Sequence, residues 1–586
     1  MKKKLTALLL SASILFAPCI SAAAELPPPP EVQSGQLLNQ NKDNLGQPQV
    51  QPAQPNPAVQ GKPEPVVGAV EKKKMYIKGY QLICPLDIPT AELQTMLAPY
   101  MEIAGTTDDM QAAAGKLVAY LRKQGYFLAT GAVSDQPAKD FIYPLYIFPG
   151  KITKLTIENT SGVHDDIIAM QFSDLKVGDY AMQKALERGM AYVNDLQGQI
   201  AQMQVSPGKE LGDYEIKIVS QPTKSWMSRT GVDNSGNQAT GAWEANETVV
   251  LSNLAGRGDS LGIMINASPT NNWNNIGQAY SNIWWTTPAF TAGGKITATL
   301  MGQMYRQWNA YNGAWPDPKG WATNGSLGYE HSLVRTTTDN LRISATYESK
   351  LNEDYSVYWT NDGNWVDSEV NDVILAVKYN WSDILFGGGS TFATVAIEPG
   401  YVSATDPKKR QSLEQLGYYG WYGLATADIS RSQYLFENFQ LAVSANGQIP
   451  TEDLSTSEKL SITGTQGVRA YPYSVTSGDV GAVGSLELQY FPPYLRTSWL
   501  NGLRVSAFAD AGVIKSVFSK AYDANVGQYS YYPNGMALYG YGVGMAATLF
   551  GGVSAEVQYA LPIATPTYFG NSFNNGQLWV NASVTF

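Results

Sequence analysis

The C-terminal two-thirds of the chain alternates between apolar and polar side chains with a period of two. In Ser485–Tyr490, for example, Leu486, Leu488 and Tyr490 share one face and the polar residues share the other. Such alternation is typical of a strand that separates two unlike solvents. After Thr223 we count sixteen segments of this kind, with lengths that match a tilted strand crossing a bilayer. The pattern predicts a membrane β-barrel of 16 antiparallel strands over residues 223–586.

The connections between these segments alternate between short and long. Residues 253–258, 334–340 and 550–552 form short turns, whereas residues 451–482 and 515–535 form long loops. Barrels of bacterial outer membranes have short periplasmic turns and longer external loops. An even number of strands places both ends of the barrel on the periplasmic side, so the segment that precedes the barrel should lie in the periplasm.

Two similar modules precede the barrel, over residues 75–151 and 152–222. Each combines predicted strands with a helix of helical apolar periodicity, Asp108–Arg122 in the first and Met182–Leu196 in the second. Each module is large enough for one sheet with helices on one face, which predicts two small α+β domains. Because a sheet edge can accept an extended peptide as an added strand, the repeated unit suggests a docking array.

The N-terminal region has two parts. Residues 1–24 have the basic, apolar and small-residue parts of a secretory signal peptide, and Pro18 before Cys19 disfavours a lipoprotein signal. Residues 25–74 are rich in Pro, Gln and Asn and are predicted to be a linker, in which Gln36–Asn44 could form a short polar helix once something surrounds it. No run of 18 apolar residues follows the leader, which excludes helical membrane spans.

Composition narrows the classes of function. The net charge of −10, without clustered Lys and Arg, argues against a nucleic-acid partner. Only 15% of residues are charged, while the chain has 55 Gly and 35 Tyr, a balance unlike that of a soluble protein of this size. The two cysteines are Cys19 and Cys84, and the first should leave with the leader, so no disulfide is expected.

The residues that could carry catalysis do not form a recognisable site. Gly540, Gly542 and Gly544 alternate within one strand without a following helix, which predicts small wall residues rather than a phosphate-binding turn. His164 and His331 lack metal-ligand spacing, and no GxSxG motif accompanies them. We therefore expect no enzyme activity, no catalytic residue, no metal and no cofactor.

One arginine lies in a long apolar and glycine-rich stretch before strand Ser485–Tyr490. Arg469 belongs to the predicted long loop, whereas Asp510 lies on the polar face of the predicted strand Leu503–Asp510. In a barrel with a wet interior, Arg469 can reach Asp510 only if the loop folds inward. We predict that the two side chains pair inside the channel. Two interpretations stay open, a static brace and a latch that can be released.

Several motifs connect these features to a known family. They are Asp233-Asn234-Ser235-Gly236 with Thr240-Gly241, Asn253-Leu254 with Gly258-Asp259, Ser430-Arg431-Ser432-Gln433, Gly467-Val468-Arg469-Ala470-Tyr471 and Phe508-Ala509-Asp510-Ala511-Gly512. The fourth is similar to a VRGY loop motif and the fifth to an FxDxG strand motif. Over nearly the whole chain after the leader, the sequence resembles the transporters of two-partner secretion in the Omp85 superfamily, whose N-terminal modules are polypeptide-transport-associated (POTRA) domains.

The resemblance implies roles for the motif residues. The segment Gly467–Tyr471 would be the tip and latch of the inward loop, and Phe508, Asp510 and Gly512 would be its partner on the barrel wall. Gln36–Asn44 resembles the plug helix of the family. The family usually has Gly where Ala470 stands, so Ala would add strain of roughly 1 kcal/mol if that position needs a positive φ.

The last strand ends on an aromatic residue. Leu578, Val580 and Phe586 lie on one apolar face, and the strand resembles the C-terminal signal by which the insertion machinery recognises outer-membrane barrels. A soluble β-sandwich has little reason to leave an open edge there. We therefore expect barrel insertion machinery and outer-membrane lipid among the partners of the chain.

The function that the resemblance implies is passage of one large unfolded exoprotein, of haemolysin, adhesin or toxin type, from the periplasm to the cell surface. The modules would bind the N-terminal secretion domain of the exoprotein, and folding outside the cell would drive export. The alternative is an Omp85-type insertase that folds other outer-membrane proteins, although such proteins usually carry more modules. A porin would not need the modules, and an adhesin would place them outside.

Overall fold

A computed structural model describes residues 33–45, 74–308, 317–355, 365–404, 406–473, 475–494, 497, 499–515, 535–550, 552–565 and 573–586. The predicted leader and most of the predicted linker lie outside these ranges. None of the helices in the described ranges has the length and apolar character needed to cross a bilayer.

Sixteen antiparallel strands close into a barrel, as the alternation predicts. They are β9 (Trp226–Asp233), β10 (Glu244–Ser252), β11 (Ser260–Pro269), β12 (Ile276–Pro288), β13 (Gly294–Arg306), β14 (Lys319–Arg335), β15 (Asp339–Tyr355), β16 (Trp365–Asp383), β17 (Gly389–Ser403), β18 (Gly420–Phe436), β19 (Phe439–Pro450), β22 (Val480–Tyr490), β23 (Leu500–Lys515), β24 (Gly535–Leu549), β25 (Val553–Pro562) and β26 (Gln577–Thr585). Each strand pairs with its neighbours in sequence, and β26 pairs with β9 from Asn581↔Asp233 to Thr585↔Arg229. The fold class predicted for this region is therefore confirmed.

The alternation of side chains separates a lipid face from a lumen. In β22, Leu486 and Leu488 are exposed on the outside, whereas Glu487 between them is buried on the inside. Several strands are longer than their apolar pattern, and β16 covers 19 residues where the alternation predicts only Asp372–Trp381. The reason is that the main-chain ladder continues after a strand leaves the lipid, where neither face needs to be apolar.

The two N-terminal modules share one topology. The first contains β1 (Met75–Ile77), β2 (Gly79–Ile83), α2 (Thr90–Leu97), β3 (Ile103–Gly105), α3 (Thr107–Lys123), β4 (Thr130–Val133) and β5 (Ile142–Phe148), and the second contains β6 (Lys151–Asn159), α4 (Asp165–Met170), α5 (Gln183–Asn194), β7 (Gln199–Pro207) and β8 (Asp213–Pro222). The sheets have the orders β2-β5-β4 and β6-β8-β7, and in each the first strand runs parallel to the last. The strand predicted for Tyr76–Leu82 is split, because the chain leaves β1 at Lys78 and enters another sheet as β2.

The two modules are joined by main-chain contacts and by a shared core. Phe127 donates to the carbonyl of Ala181 at 3.3 Å, and Gln183 donates to the carbonyl of Gly125 at 2.8 Å. Leu128, which follows the first module's long helix, is buried in the apolar core of the second module. In the first module, burial raises the pKa of the free Cys84 thiol, which favours its protonated form.

The second module docks onto short turns of the barrel. Arg335 at the end of β14 forms a two-pronged ion pair with Asp195, with N···O distances of 2.8 and 3.1 Å. The Tyr192 hydroxyl donates to the carbonyl of Ser332 at 2.8 Å, and burial raises the pKa of this tyrosine, so the donor stays protonated. Gln197 donates its main-chain N–H to the carbonyl of Gly258 at 2.9 Å. These contacts fix the module against the side of the barrel formed by its first strands.

Two further segments lie inside or above the barrel. Helix α1 (Ser34–Leu45) packs against β13, β14 and β15, and residues 451–479, which we call the inward loop, contain the short paired strands β20 (Leu460–Ser461) and β21 (Ser477–Gly478). A surface helix α6 (Pro407–Leu416) begins at an Asp406 cap and ends at Gly417, which has a positive φ of 87°. The lumen therefore holds two elements that are not strands of its wall.

Candidate functional site

The tip of the inward loop is buried against the inner wall of the barrel. Arg469 is 6% exposed, and its guanidinium contacts Asp510 on β23 through two N···O distances, 2.8 and 3.0 Å. The main-chain N–H of Arg469 donates to the same carboxylate at 3.1 Å. A fork of this kind matches a carboxylate in geometry as well as in charge, so it sets the orientation of the loop tip. The structure thus brings together the two residues that the sequence paired.

The guanidinium has partners that sequence reasoning missed. Its remaining donors reach Glu487 on β22 at 2.7 Å and the hydroxyl of Ser485 at 2.8 Å. Its central carbon lies 3.3 Å from the centre of the Phe508 ring, a cation–π contact. Glu487 and Ser485 were already assigned to the polar face of their strand, and their inward position was the available signal. One arginine is therefore held by two neighbouring strands.

Small residues on the wall make room for the loop tip. Val468, Ala470 and Tyr471 are fully buried. A Cβ added at Gly540 of β24 would lie 2.8 Å from the Cβ of Ala470, and one at Gly512 of β23 would lie 3.1 Å from a methyl of Val468. Of the three glycines predicted as small wall residues, Gly540 thus serves close packing of the loop, whereas a Cβ at Gly542 or Gly544 would meet other wall residues. Ala470 does not have a positive φ, so the strain considered for this residue does not arise.

A second buried cluster anchors the inward loop to the opposite part of the wall. Lys350 of β15 is 4% exposed, and its ammonium lies 2.9 Å from Glu458 of the loop. The same ammonium lies 3.0 Å from Asp372, 3.3 Å from Glu348 and 3.9 Å from Glu398. Oxygens of Asp372, Glu398 and Glu458 lie within 4.8 Å of one another, and the lysine supplies the cation between them. The sequence placed Lys350 at the end of a strand and gave no sign of this role.

Helix α1 contacts both the wall and the inward loop. Ser34 donates its main-chain N–H and its hydroxyl to Asp354 of β15 at 2.8 and 3.0 Å. Gln36 reaches the hydroxyl of Ser477 at 3.1 Å, and Asn39 donates to the carbonyl of Ser457. The fully buried Leu37 packs on Tyr305, and its equally buried neighbour Leu38 packs on wall residues such as Met264 and Trp284. The predicted polar helix thus carries two apolar side chains that are covered by the wall.

The C-terminal strand has one face toward the lipid and one toward the site. Leu578 and Phe586 are exposed on the outside, and Val580 lies on the same face. On the inner face, Trp579 donates its indole N–H to the carbonyl of Arg469 at 2.7 Å. Phe586 exchanges main-chain hydrogen bonds with Ser228 of the first strand, at 2.8 and 3.4 Å. The last strand therefore closes the barrel and touches the loop tip.

The remaining motifs lie at turns and hairpins. In Ser430–Gln433, Arg431 forms a two-pronged ion pair with Asp383 at 2.8 and 3.0 Å. Gln433 donates to three carbonyls of the turn between β16 and β17, so this motif stabilises a short turn.

Two other motifs contact neighbouring elements. In the hairpin that begins at Asp233, the carbonyl of Ser235 accepts a hydrogen bond from Gln40 of helix α1, 3.2 Å away. His164 lies beside Gly256 where the second module docks.

Comparisons with known proteins agree with this geometry. The family described as haemolysin secretion/activation protein ShlB/FhaC/HecB matches residues 212–546. The heme/hemopexin transporter protein HuxB of Haemophilus influenzae is 21% identical over 516 residues, covering 85% of each chain. The outer membrane transporter CdiB of Escherichia coli is 22% identical over 497 residues, covering 82% of this chain and 78% of CdiB.

A solved structure shares the fold. The structure of CdiB from Escherichia coli superposes with a TM-score of 0.68 at 18% identity, covering 90% of this chain and 93% of CdiB. The family match spans more than half of the chain, including the docked second module's last strand and most of the barrel. This protein therefore belongs to the ShlB/FhaC/HecB family of haemolysin secretion/activation proteins.

Proposed function

We propose that this protein carries a large, unfolded exoprotein through the outer membrane by two-partner secretion, and that helix α1 and the inward loop close its channel at rest. The barrel lies in the outer membrane, and the two POTRA modules lie in the periplasm. The observation that carries the proposal is how the lumen is filled. In each hydrogen bond described above between α1 and the wall, a side chain is the donor, the acceptor or both, so none of these bonds belongs to the main-chain ladder. The helix can therefore leave without breaking the ladder that holds the barrel together.

The inward loop has a different role in this proposal. Arg469 ties the tip of the loop to β22 and β23, and Lys350 ties its earlier part to β15. Both anchors are buried ion pairs, and breaking one side of such a pair costs about 3 to 5 kcal/mol. We infer that the loop remains attached while the helix is displaced, and that the anchors set the width of the path.

The POTRA modules would receive the exoprotein. The strand order leaves β7 at the edge of its sheet, and its outer main-chain groups beyond Ala201, which itself pairs with the side chain of Asn194, can pair with an extended peptide. This strand begins at Gln199, two residues after the Gln197 contact with the barrel turn at Gly258. A peptide added to β7 would therefore lie near the periplasmic mouth. Outer-membrane lipid around the apolar belt and the insertion machinery at β26 complete the proposed partners.

A disulfide lock between helix α1 and the wall tests the proposal. Ser34→Cys and Asp354→Cys replace two side chains that are in direct contact, and Cys84→Ser removes the free thiol of the first module. We expect the oxidised protein to stop exporting its exoprotein and the reduced protein to resume. The matched control is Ser34→Ala with Asp354→Ala, which removes the contact without a lock.

Two results would contradict the proposal. One is export by the oxidised protein at the rate of the reduced protein, because the helix would then not block the path. The other is that the oxidised protein leaves exoprotein export unchanged while many barrel proteins are lost from the outer membrane, which would identify an insertase.

A further inference from the structure

The membrane-facing surface of the barrel carries a groove near the external ends of its first strands. The groove has a volume of about 750 Å³ and spans β9 to β14. Its floor consists of small side chains that point outward, namely Ala245, Ala267, Ala279, Ser281 and Gly302. Three larger outward side chains flank it, Ile265, Met304 and Trp321, which are 56%, 64% and 37% exposed. Because these strands lie in the outer membrane, the surroundings of the groove are lipid.

A carboxylate faces the lipid at one end of this groove. Glu247 of β10 has the outward parity of Val249, opposite to the inward Thr248 and Val250. Its two oxygens accept hydrogen bonds from the hydroxyls of Ser228, at 2.8 Å, and Thr230 on β9. Ionisable side chains are costly inside a membrane and mark functional sites when they are kept there. Carboxylate oxygens have more acceptor positions than these two bonds use, so a further donor can bind.

Two basic side chains stand at the external rim above the groove. Arg306 of β13 and Lys319 of β14 are paired in register, one row beyond Met304 and Trp321. Arg306 lies 3.1 Å from Asp317 and 3.8 Å from the centre of the Trp308 ring, which hold it in place. Lys319 lies 5.7 Å from the centre of the Tyr355 ring. Arg and Lys at the membrane surface attract anionic lipid headgroups, and an arginine can bind phosphate through two hydrogen bonds.

We propose that this groove is a binding site for one phosphorylated outer-leaflet lipid whose acyl chain carries a hydroxyl or amide, the chemistry of lipid A. The phosphate binds Arg306 and Lys319, the acyl chains lie along the small residues, and the hydroxyl or amide N–H donates to Glu247. The order of charges carries this assignment, since the cations lie at headgroup level and Glu247 shares the register row of Gly302, two outward positions deeper than Arg306, beside the chains. Strands β9 and β10 have only 8 and 9 residues, the short end for crossing a bilayer. A lipid bound here would cover the part of the wall that contains these short strands.

The test compares two lipid-facing glycines on adjacent strands. A Cβ at Gly302 would have its nearest neighbour at 3.5 Å, and one at Gly325 of β14 would have none within 4 Å, so both accept a larger side chain without a main-chain clash. Gly302 lines the groove and Gly325 does not. Native mass spectrometry of the purified full chain would measure retention of added lipid A, with phosphatidylglycerol and phosphatidylethanolamine as other phosphate-bearing probes. Folding of each variant is checked by heat-dependent gel mobility.

We expect wild type and Gly325→Trp to retain lipid A equally, and Gly302→Trp to retain at least about tenfold less, a difference of ~1.4 kcal/mol. Glu247→Gln should reduce retention of lipid A but not of phosphatidylglycerol, and Arg306→Ala should reduce retention of both. Equal retention of lipid A by Gly302→Trp and wild type would overturn the site. Equal retention of the three lipids by wild type would overturn its selectivity for a donor-bearing chain. Because lipid retention is measured without export, failure here leaves the secretion proposal standing.

Discussion

Buried charges in the lumen are tolerated because each has several fixed partners. Arg469 meets two carboxylates, a hydroxyl and an aromatic ring within one site. Removing one ion from water is costly, and only good geometry with additional hydrogen bonds offsets that cost. The arginine is therefore a point at which small chemical changes have large effects, and the same holds for Lys350.

Substitution of Arg469 should separate export from assembly. We expect Arg469→Ala to reduce exoprotein export strongly, because it leaves Asp510 and Glu487 buried without their cation, at a cost of about 3 to 5 kcal/mol. Insertion of the barrel should be unaffected, because no ladder bond is lost. Export into the medium and heat-dependent gel mobility measure the two outcomes. Arg504→Ala is the matched control, since Arg504 pairs with Glu556 at 2.7 Å on the same inner wall but is partly exposed. Normal export by Arg469→Ala would exclude both a brace and a latch.

Substitution of Lys350 should release the first part of the inward loop. Lys350→Met leaves the carboxylates of Glu348, Asp372, Glu398 and Glu458 close together without a cation, so their repulsion should expel Glu458. We expect faster cleavage of the loop by added protease at neutral pH, and recovery of protection as the pH falls and carboxylates are protonated. Lys378→Met is the control, because Lys378 is partly exposed and Glu330 is its one partner among the ion pairs described. Equal cleavage of both variants would show that the buried cluster does not anchor the loop.

At the scale of elements, the wall and the loop tip are shaped to each other. A side chain at Gly540 would collide with Ala470 and Val468, whereas a side chain at Gly325 meets nothing within 4 Å. We expect Gly540→Val to displace the loop tip and to expose Tyr471, while Gly325→Val leaves it in place. Hydrogen exchange over residues 462–473 measures the displacement, with faster exchange expected in the first variant. Unchanged exchange in Gly540→Val would mean that the wall, not the loop, yields.

At the scale of the whole molecule, one ion pair contributes to the orientation of the second POTRA module. Asp195→Arg or Arg335→Asp alone should loosen the module and lower export, and the double exchange should restore most of both. The distance between spin labels on the module and on the barrel measures its orientation. A double variant that behaves as the sum of the single ones would show that the pair does not couple the two domains.

Much of this architecture was predictable from local patterns. Alternation in β22 and β23 gave the lipid and lumen faces, and the parity of turn lengths placed the modules in the periplasm. Short elements such as α2, β3 and β4 were not predicted, because a few residues carry too little periodicity to stand out. The external ends of β14 to β16 were missed for a related reason, since strands that leave the lipid lose their apolar face.

What the sequence by itself determined was the order of elements and the facing of side chains, because both follow from periods of two and 3.6 residues. It also predicted the Arg469 and Asp510 pair, from a lone arginine in an apolar loop and a carboxylate on the polar face of a strand, and the family motifs pointed to the same two residues. Only the tertiary structure decided that Lys350 contacts Glu458, 108 residues further along the chain. It also decided that wall glycines lie beneath the loop tip and that the side chain of Glu247 points into a lipid-facing groove. These contacts depend on barrel closure, which brings distant strands together, and no local pattern records which residues closure makes neighbours.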